Sequence, residues 1–222
     1  MPSGSIYDNL TATFDPYRLV LRGGIHLKMD KSQTPQTLVL VGNIGSEMWG
    51  PFSREDTGLP NSLDHWTRQV VEPIAERFGA ATYFAFEGPP YHPFQQWVMQ
   101  AENVFQSPIG SLIHPKYGLW HAYRADLVLG EILELPIQKP AANPCDSCED
   151  RPCLSTCPIS AFMSETYDVP SCVKYLKTSD GEACLTESCA ARRACPVGIE
   201  FQYNEAQSKH HMGAFFKAQT GK

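Results

Sequence analysis

The sequence predicts an α+β domain, an antiparallel sheet with flanking helices, followed by a smaller cysteine-rich domain. Residues 1–136 contain no cysteine and alternate short apolar runs with amphipathic segments of helical period. All eight cysteines of the 222-residue chain lie beyond residue 144. The stretch LPIQKPAANP, residues 135–144, has the proline content of a connector, and the boundary is placed there, giving domains 1–136 and 137–222.

A helix is expected from Ile6, capped by Ser3 or Ser5. An apolar segment at 19–21 is expected to break at Gly23-Gly24. TLVLV, residues 37–41, reads as a buried strand ending at Gly42-Asn43-Ile44-Gly45. Residues 63–78 read as a helix because Trp66, Val70, Ile74 and Phe78 recur every four positions, and Gly79 stops it. Residues 82–86 read as a strand. Residues 94–105 read as a second amphipathic helix, with Phe94, Trp97, Val98, Ala101, Val104 and Phe105 inward. Trp66 and Trp97 are taken as core. Residues 111–113 and 119–129 flank a His-Pro-Lys-Tyr-Gly turn and are expected to pair antiparallel. On the second of these, alternation puts Trp120, Ala122, Arg124, Asp126 and Val128 on one face. Arg124 and Asp126 are costly to bury unless paired with each other or with a ligand. The alternative is a structural salt bridge at a sheet edge.

Hydrophobic residues make up 42% of the chain and charged ones 19%, the balance of a folded globular protein. A net charge of −6 leaves no broad cationic surface for phosphate backbones, so nucleic acid is not the expected partner. The N-terminal segment has no basic stretch followed by an apolar core, and no apolar run reaches the roughly 18 residues that span a bilayer. A cytoplasmic, membrane-free protein is expected. Thiols stay reduced there, which disfavours a disulfide framework.

The cysteines form two runs. The first, Cys145, Cys148, Cys153 and Cys157, reads Cys-x2-Cys-x4-Cys-x3-Cys-Pro; the second is Cys172, Cys184, Cys189 and Cys195, again followed by proline. Eight thiolates satisfy two [4Fe–4S] clusters, and a Cys-Pro closing each run is the two-cluster ferredoxin pattern, in which that last sulfur serves the other cluster. By this rule one cluster takes Cys145, Cys148, Cys153 and Cys195. The other takes Cys157, Cys172, Cys184 and Cys189. The spacing departs from the plain ferredoxin run, with extra residues before Cys153 and a wider second half. Structural zinc is the alternative, but it would bring paired Cys-x2-Cys knuckles or histidines that this region lacks. A ferredoxin-like two-cluster domain is therefore expected over 137–222.

CPISAF after Cys157 and SCVKYL around Cys172 resemble the cluster module of epoxyqueuosine reductases and reductive dehalogenases, over about residues 145–198. In that module a lone cysteine before an apolar Tyr-Leu helix separates the two runs. Residues 107–140 resemble the cobalamin-processing family of decyanases and dealkylases in their Ile-His-Pro-basic-aromatic-Gly segment, Trp and Ala-aromatic-Arg strand. Tyr91-His92-Pro93 is similar to that family's Val-His-Pro segment, so the likeness runs from about residue 80 to 140. The resemblance implies a nitroreductase-like α+β fold for the first domain and a corrinoid bound to it. It makes His92, His114, Trp120 and Arg124 candidate cofactor contacts, Arg124 matching an arginine that contacts a thiol co-substrate. Glu87, near where epoxyqueuosine reductases carry a proton-donating aspartate, and His92 are the catalytic candidates. Beside these stand plainer readings: a solvated loop carboxylate, a capping histidine.

No Asp-x-His-x-x-Gly segment supplies a lower axial histidine to cobalt, and without one cobalt(II) is easier to reduce. No Gly-x-Gly-x-x-Gly follows a strand, so flavin is the lesser cofactor alternative to cobalamin. The leading function is a corrinoid-linked iron–sulfur oxidoreductase that passes electrons from a ferredoxin or flavodoxin through two clusters to cobalamin or another small-molecule substrate. Lys174, Lys177, Arg192 and Arg193 are candidate docking residues for an acidic donor. A ferredoxin-like carrier without corrinoid is the alternative. An epoxyqueuosine-reductase-like enzyme is third, disfavoured by the acidic balance and the short stretch after Gly198.

Overall fold

The computed structural model describes residues 4–27, 35–162 and 166–221; Ser3, one of the two expected caps, lies outside them. Two compact units divide the chain: Met1–Asn103 with Ala122–Pro140, and Val104–His121 with Ala141–Lys222. The sequence boundary at 136/137 falls just before the second junction. Residues 104–121, which reading along the chain assigns to the first domain, belong to the second unit.

In chain order the first unit contains α1 (Ile6–Phe14), β1 (Val20–Leu27), β2 (Gln36–Ile44), α2 (Trp49–Glu55), α3 (Ser62–Arg77), β3 (Ala81–Phe84) and α4 (Phe94–Ala101). Two short strands follow in the second unit, β4 (Phe105–Gln106) and β5 (Leu112–Ile113), then β6 (His121–Leu129). The sheet order is β1-β2-β6-β3, with β1–β2 and β3–β6 antiparallel. One sheet face packs on α1, α2 and α3 through Leu10, Phe14, Val39, Val41, Phe52, Trp66, Val70, Ala125 and Leu127. Trp66 is 2% exposed, and its indole N–H donates to Glu55 at 3.0 Å. α1 starts at Ser5 with a capping box: Ser5 Oγ accepts the Asp8 N–H, and the Asp8 carboxylate accepts the Ser5 N–H.

Three elements differ from expectation. β1 does not break at its glycines but crosses them, with a register shift between Leu21 and Gly24. Gly23 has φ +88°, and a Cβ there would stand 2.5 Å from the Ala101 carbonyl oxygen, so glycine lets the strand continue. α4 ends at Ala101 rather than near 105, because Glu102 turns extended and its carboxylate meets Arg22. Arg22 Nη2 lies 2.9 Å from Glu102, the two side chains 2% and 9% exposed, and the Tyr123 hydroxyl donates to the same carboxylate. A buried carboxylate without such partners would be costly. Finally, 111–113 does not pair with 119–129. β5 pairs with β4 (Phe105↔Ile113), since β6 is interior in the sheet between β2 and β3.

The rest of the second unit is helical: α5 (Pro152–Ser155), α6 (Val169–Leu176), α7 (Glu182–Glu187), α8 (Ala190–Arg193) and α9 (Glu205–Thr220). Asp168 caps α6 by accepting the Ser171 N–H, and Asn204 caps α9 by accepting the Gln207 N–H. α7 packs against α9. Among the described residues the ladder of this unit is β4–β5, and the cysteines stand on turns and short helices rather than on a sheet. Two backbones cross at Gly118 and Gly198, both at positive φ: a Cβ on Gly118 would lie 1.9 Å from the Val197 carbonyl oxygen. No helix among the described residues is long and apolar enough to cross a membrane.

Candidate functional site: two cysteine-lined cavities

All eight cysteines are free thiols, and they sort into two groups of four. Cys145, Cys148, Cys153 and Cys195 line a cavity of about 20 Å³ with Ile109, Ile113, Leu119, Pro152, Pro196 and Val197. Cys157, Cys172, Cys184 and Cys189 line a second cavity of about 250 Å³, walled by Ile109, Phe162, Tyr167, Tyr175, Arg192 and, from α9, His211, Met212 and Phe215. These groups coincide with those given by the Cys-Pro rule. Each Cys-Pro sulfur stands with three cysteines of the other run.

Local structure accounts for the sorting. Pro152 starts α5, which holds Cys153, and Arg151 before it takes a left-handed conformation. Val197 follows Pro196 at the Gly118–Gly198 crossing, which fixes Cys195 against Ile113 and Leu119. Cys172 rides on α6, Cys184 on α7, and Cys189 caps α8.

The electrostatics follow the same division. Burial pushes the Cys145 thiol up, and Cys195, Cys153 and Cys148 push it further. Cys153 is raised by burial, then by Cys195 and Cys148. Cys195 is raised by burial and by Cys148, against a hydrogen bond from the Val197 N–H. In the second group burial raises Cys172, the Tyr167 hydroxyl opposes it, and Cys157 and Cys184 add to it. Burial raises Cys189 as well, opposed by the Arg192 and Ala191 N–H groups. Cys145, Cys153, Cys172, Cys189 and Cys195 are thus each raised first by burial and then by cysteines of their own group. Among the described residues no three Cys, His, Asp or Glu side chains are gathered closely enough to hold a single metal ion. Within each group the four cysteines are among the residues that line one cavity.

No protein-family model matches this chain, and no curated protein sequence does. Solved structures similar to it include the following two. One is epoxyqueuosine reductase from Streptococcus thermophilus, at 14% identity and TM-score 0.49, covering 80% of this chain and 53% of that one. The other is the C. elegans B12-trafficking protein CblC, at 10% identity and TM-score 0.48, covering 95% of each. The chain spans about half the length of the epoxyqueuosine reductase. Both names are those of the families that the sequence resembles.

The remaining predicted residues are divided between the units. His92 and Arg124 lie in the first, His114 and Trp120 in the second. Arg124 does not pair with Asp126. Its guanidinium reaches Asp64 in the first turn of α3, at 2.7 Å, and the Thr67 hydroxyl. Asp126 stands opposite Tyr83, fully buried, with neither carboxylate oxygen hydrogen-bonded, and burial pushes its pKa up to about 8. β6 begins at His121, so Trp120 precedes the strand, and Arg124 reaches α3, against which Ala125 and Leu127 also pack. Glu87 is not a simple solvated carboxylate: it pairs with Arg68 at 2.5 Å and accepts the Phe84 N–H. His92 is exposed and packs on Tyr83 and Trp97. His114 Nδ1 accepts the Lys116 and Tyr117 N–H groups, which makes it part of its turn. Trp120 is 1% exposed.

Two of the four docking cations are engaged internally. Arg192 donates to the Leu119 carbonyl and lies between the Trp120 and Tyr203 rings, 4.6 Å from each. Arg193 pairs with Glu187. Sequence reading missed Arg192's placement, Ile109, which lines both cavities, and Tyr167. The position of Tyr167, five residues before a lone cysteine, was the available signal for the last.

Proposed function

We propose that the chain is an iron–sulfur redox protein that carries electrons through two [4Fe–4S] clusters to a corrinoid, with reductive processing of cobalamin as the outcome. The observation that carries the cluster assignment is the grouping of eight thiols into two rings of four, each with its own cavity. Cys145, Cys148, Cys153 and Cys195 would hold one cluster, and Cys157, Cys172, Cys184 and Cys189 the other. Bound there, the clusters supply one-electron chemistry at low potential. The protein's residues do the rest. Ile113, Leu119 and Val197 keep water from the first ring, and Phe162, Leu176 and Phe215 line the second. Backbone N–H groups of Leu154, Val197, Ala161, Ala191 and Arg192 point at sulfurs and offset their negative charge.

The corrinoid assignment rests on the resemblance of residues 80–140, and with it we read the first unit as nitroreductase-like. The electron donor would be a ferredoxin or flavodoxin in the cytoplasm, with Lys174 and Lys177 as the exposed cations on its approach. The test is an anaerobic titration of the cluster-loaded protein with cobalamin. A shift of the corrin spectrum at stoichiometric protein is the expected result. An unchanged spectrum with clusters in place would overturn the corrinoid assignment. It would leave a second reading, a ferredoxin-like carrier without corrinoid, which is favoured by the local engagement of Arg124 with Asp64 and of His114 within its turn.

A further inference from the structure

Among the described residues, the two thiol rings differ in a side-chain donor. The Tyr167 hydroxyl donates to Cys172 Sγ at 3.1 Å. Among the described residues, the hydrogen bonds reaching the sulfurs of the first ring come from backbone N–H groups: those of Cys153 and Leu154 to Cys153, and that of Val197 to Cys195.

The Tyr167 contact is built rather than incidental. Its ring stacks on Phe162, with centroids 4.7 Å apart and planes 19° apart, and on Phe215 of α9 at 6.1 Å and 22°. Its backbone is tied to the helix that carries the acceptor: the Val169 N–H donates to the Tyr167 carbonyl, and the neighbouring Asp168 caps α6 while its own N–H donates to Ala161. The stack and these backbone bonds hold the ring, 37% exposed, with its hydroxyl on Cys172. Tyr175 lines the same cavity, but its hydroxyl donates to the Asp180 carbonyl at 2.7 Å, away from the sulfurs. One of the two phenols serves the ring and the other serves the fold.

We propose that Tyr167 is a positioning residue that raises the reduction potential of the centre held by Cys157, Cys172, Cys184 and Cys189. This rests on the cluster reading given above. Reduction adds negative charge that spreads onto the thiolate sulfurs, and a donor aimed at one of them stabilises the reduced state more than the oxidised one. Among the described residues the first ring has backbone donors and no phenol, so the two centres take different potentials, with the Tyr167 centre the higher on this account. An electron arriving at either would then settle on the second ring.

The test compares wild type with Tyr167→Phe and Tyr175→Phe in the full chain, purified and loaded anaerobically. Iron is counted, and both midpoints are taken by potentiometric titration followed by electron paramagnetic resonance. Tyr167→Phe keeps the aromatic stack and removes only the donor. We expect unchanged iron, one midpoint lowered by about 59 mV, which is a tenfold change for a one-electron couple, and the other midpoint in place. Tyr175→Phe should move neither. Full loading with both midpoints unmoved in Tyr167→Phe would overturn the inference and leave the cluster reading standing. So would an equal shift in Tyr175→Phe. Iron lost from Tyr167→Phe alone would also overturn it, since the hydroxyl would then be needed to hold the centre rather than to set its potential. Absence of clusters from wild type would overturn both.

Discussion

The two thiol rings have the same composition but are assembled differently. Three members of the first, Cys145, Cys148 and Cys153, come from one loop and a single helical turn, and only Cys195 arrives from far along the chain. The second takes each sulfur from a separate element: the turn at Cys157, α6, α7 and the start of α8. Its cavity is wider, about 250 Å³ against about 20 Å³, and has a wall from α9. A ring closed by one loop needs little help from distant packing, whereas a ring drawn from four elements depends on the helices that hold them apart. The Tyr167 hydroxyl and its stack with Phe162 and Phe215 stand at the second ring.

The largest effect that tests this comparison is the loss of a whole centre. Cys195→Ser should remove about half the iron, and Cys148→Ser combined with it should remove no more, because both sulfurs serve one ring. Cys195→Ser combined with Cys184→Ser should remove nearly all of it. Iron counts on the three proteins decide this, and additive loss in the first pair would break the grouping.

The next effect falls on the first ring alone. Gly118→Ala would drive a Cβ into the Val197 carbonyl at a left-handed position, and Val197 supplies the N–H that meets Cys195. A loss of about 2 kcal/mol or more in unfolding free energy is expected, with iron lost from the first centre and the second centre's resonance intact. Arg192→Leu sharpens the contrast less strongly. It forfeits the Leu119 carbonyl bond and two ring contacts, at a cost of about 2 kcal/mol by denaturant titration. Arg192→Lys should restore part of that.

The smallest effect on the rings is expected from Asp126→Asn in the other unit. Burial raises the Asp126 carboxyl to about 8, so the folded chain holds a proton that the unfolded chain releases near pH 4. Stability then falls as pH rises between those values, and the asparagine variant should flatten that slope in thermal melts. Iron content and both midpoints should not change.

Much of the architecture was legible from local signals. The four-residue period of Trp66, Val70, Ile74 and Phe78 marked α3, and the Ser5 cap marked α1. What escaped the sequence were long-range partnerships. Nothing local shows that Glu102 leaves its helix to meet Arg22, or that Asp64 rather than Asp126 takes Arg124. The glycine pair in β1 read as a break because glycine marks bulges and turns alike. At the candidate site the cysteine grouping was legible because proline after the last sulfur of each run turns the chain away, which is a local rule. Tyr167 and Ile109 were not, since a phenol or an aliphatic side chain carries no metal signature of its own.

Native mass spectrometry of the anaerobically purified full chain, with iron and sulfide counted on the same sample, tests the central claim most directly. The account predicts a mass increment of two cubanes, with about eight irons and eight sulfides per chain. Zinc, a disulfide-linked metal-free chain or a single cluster would contradict it.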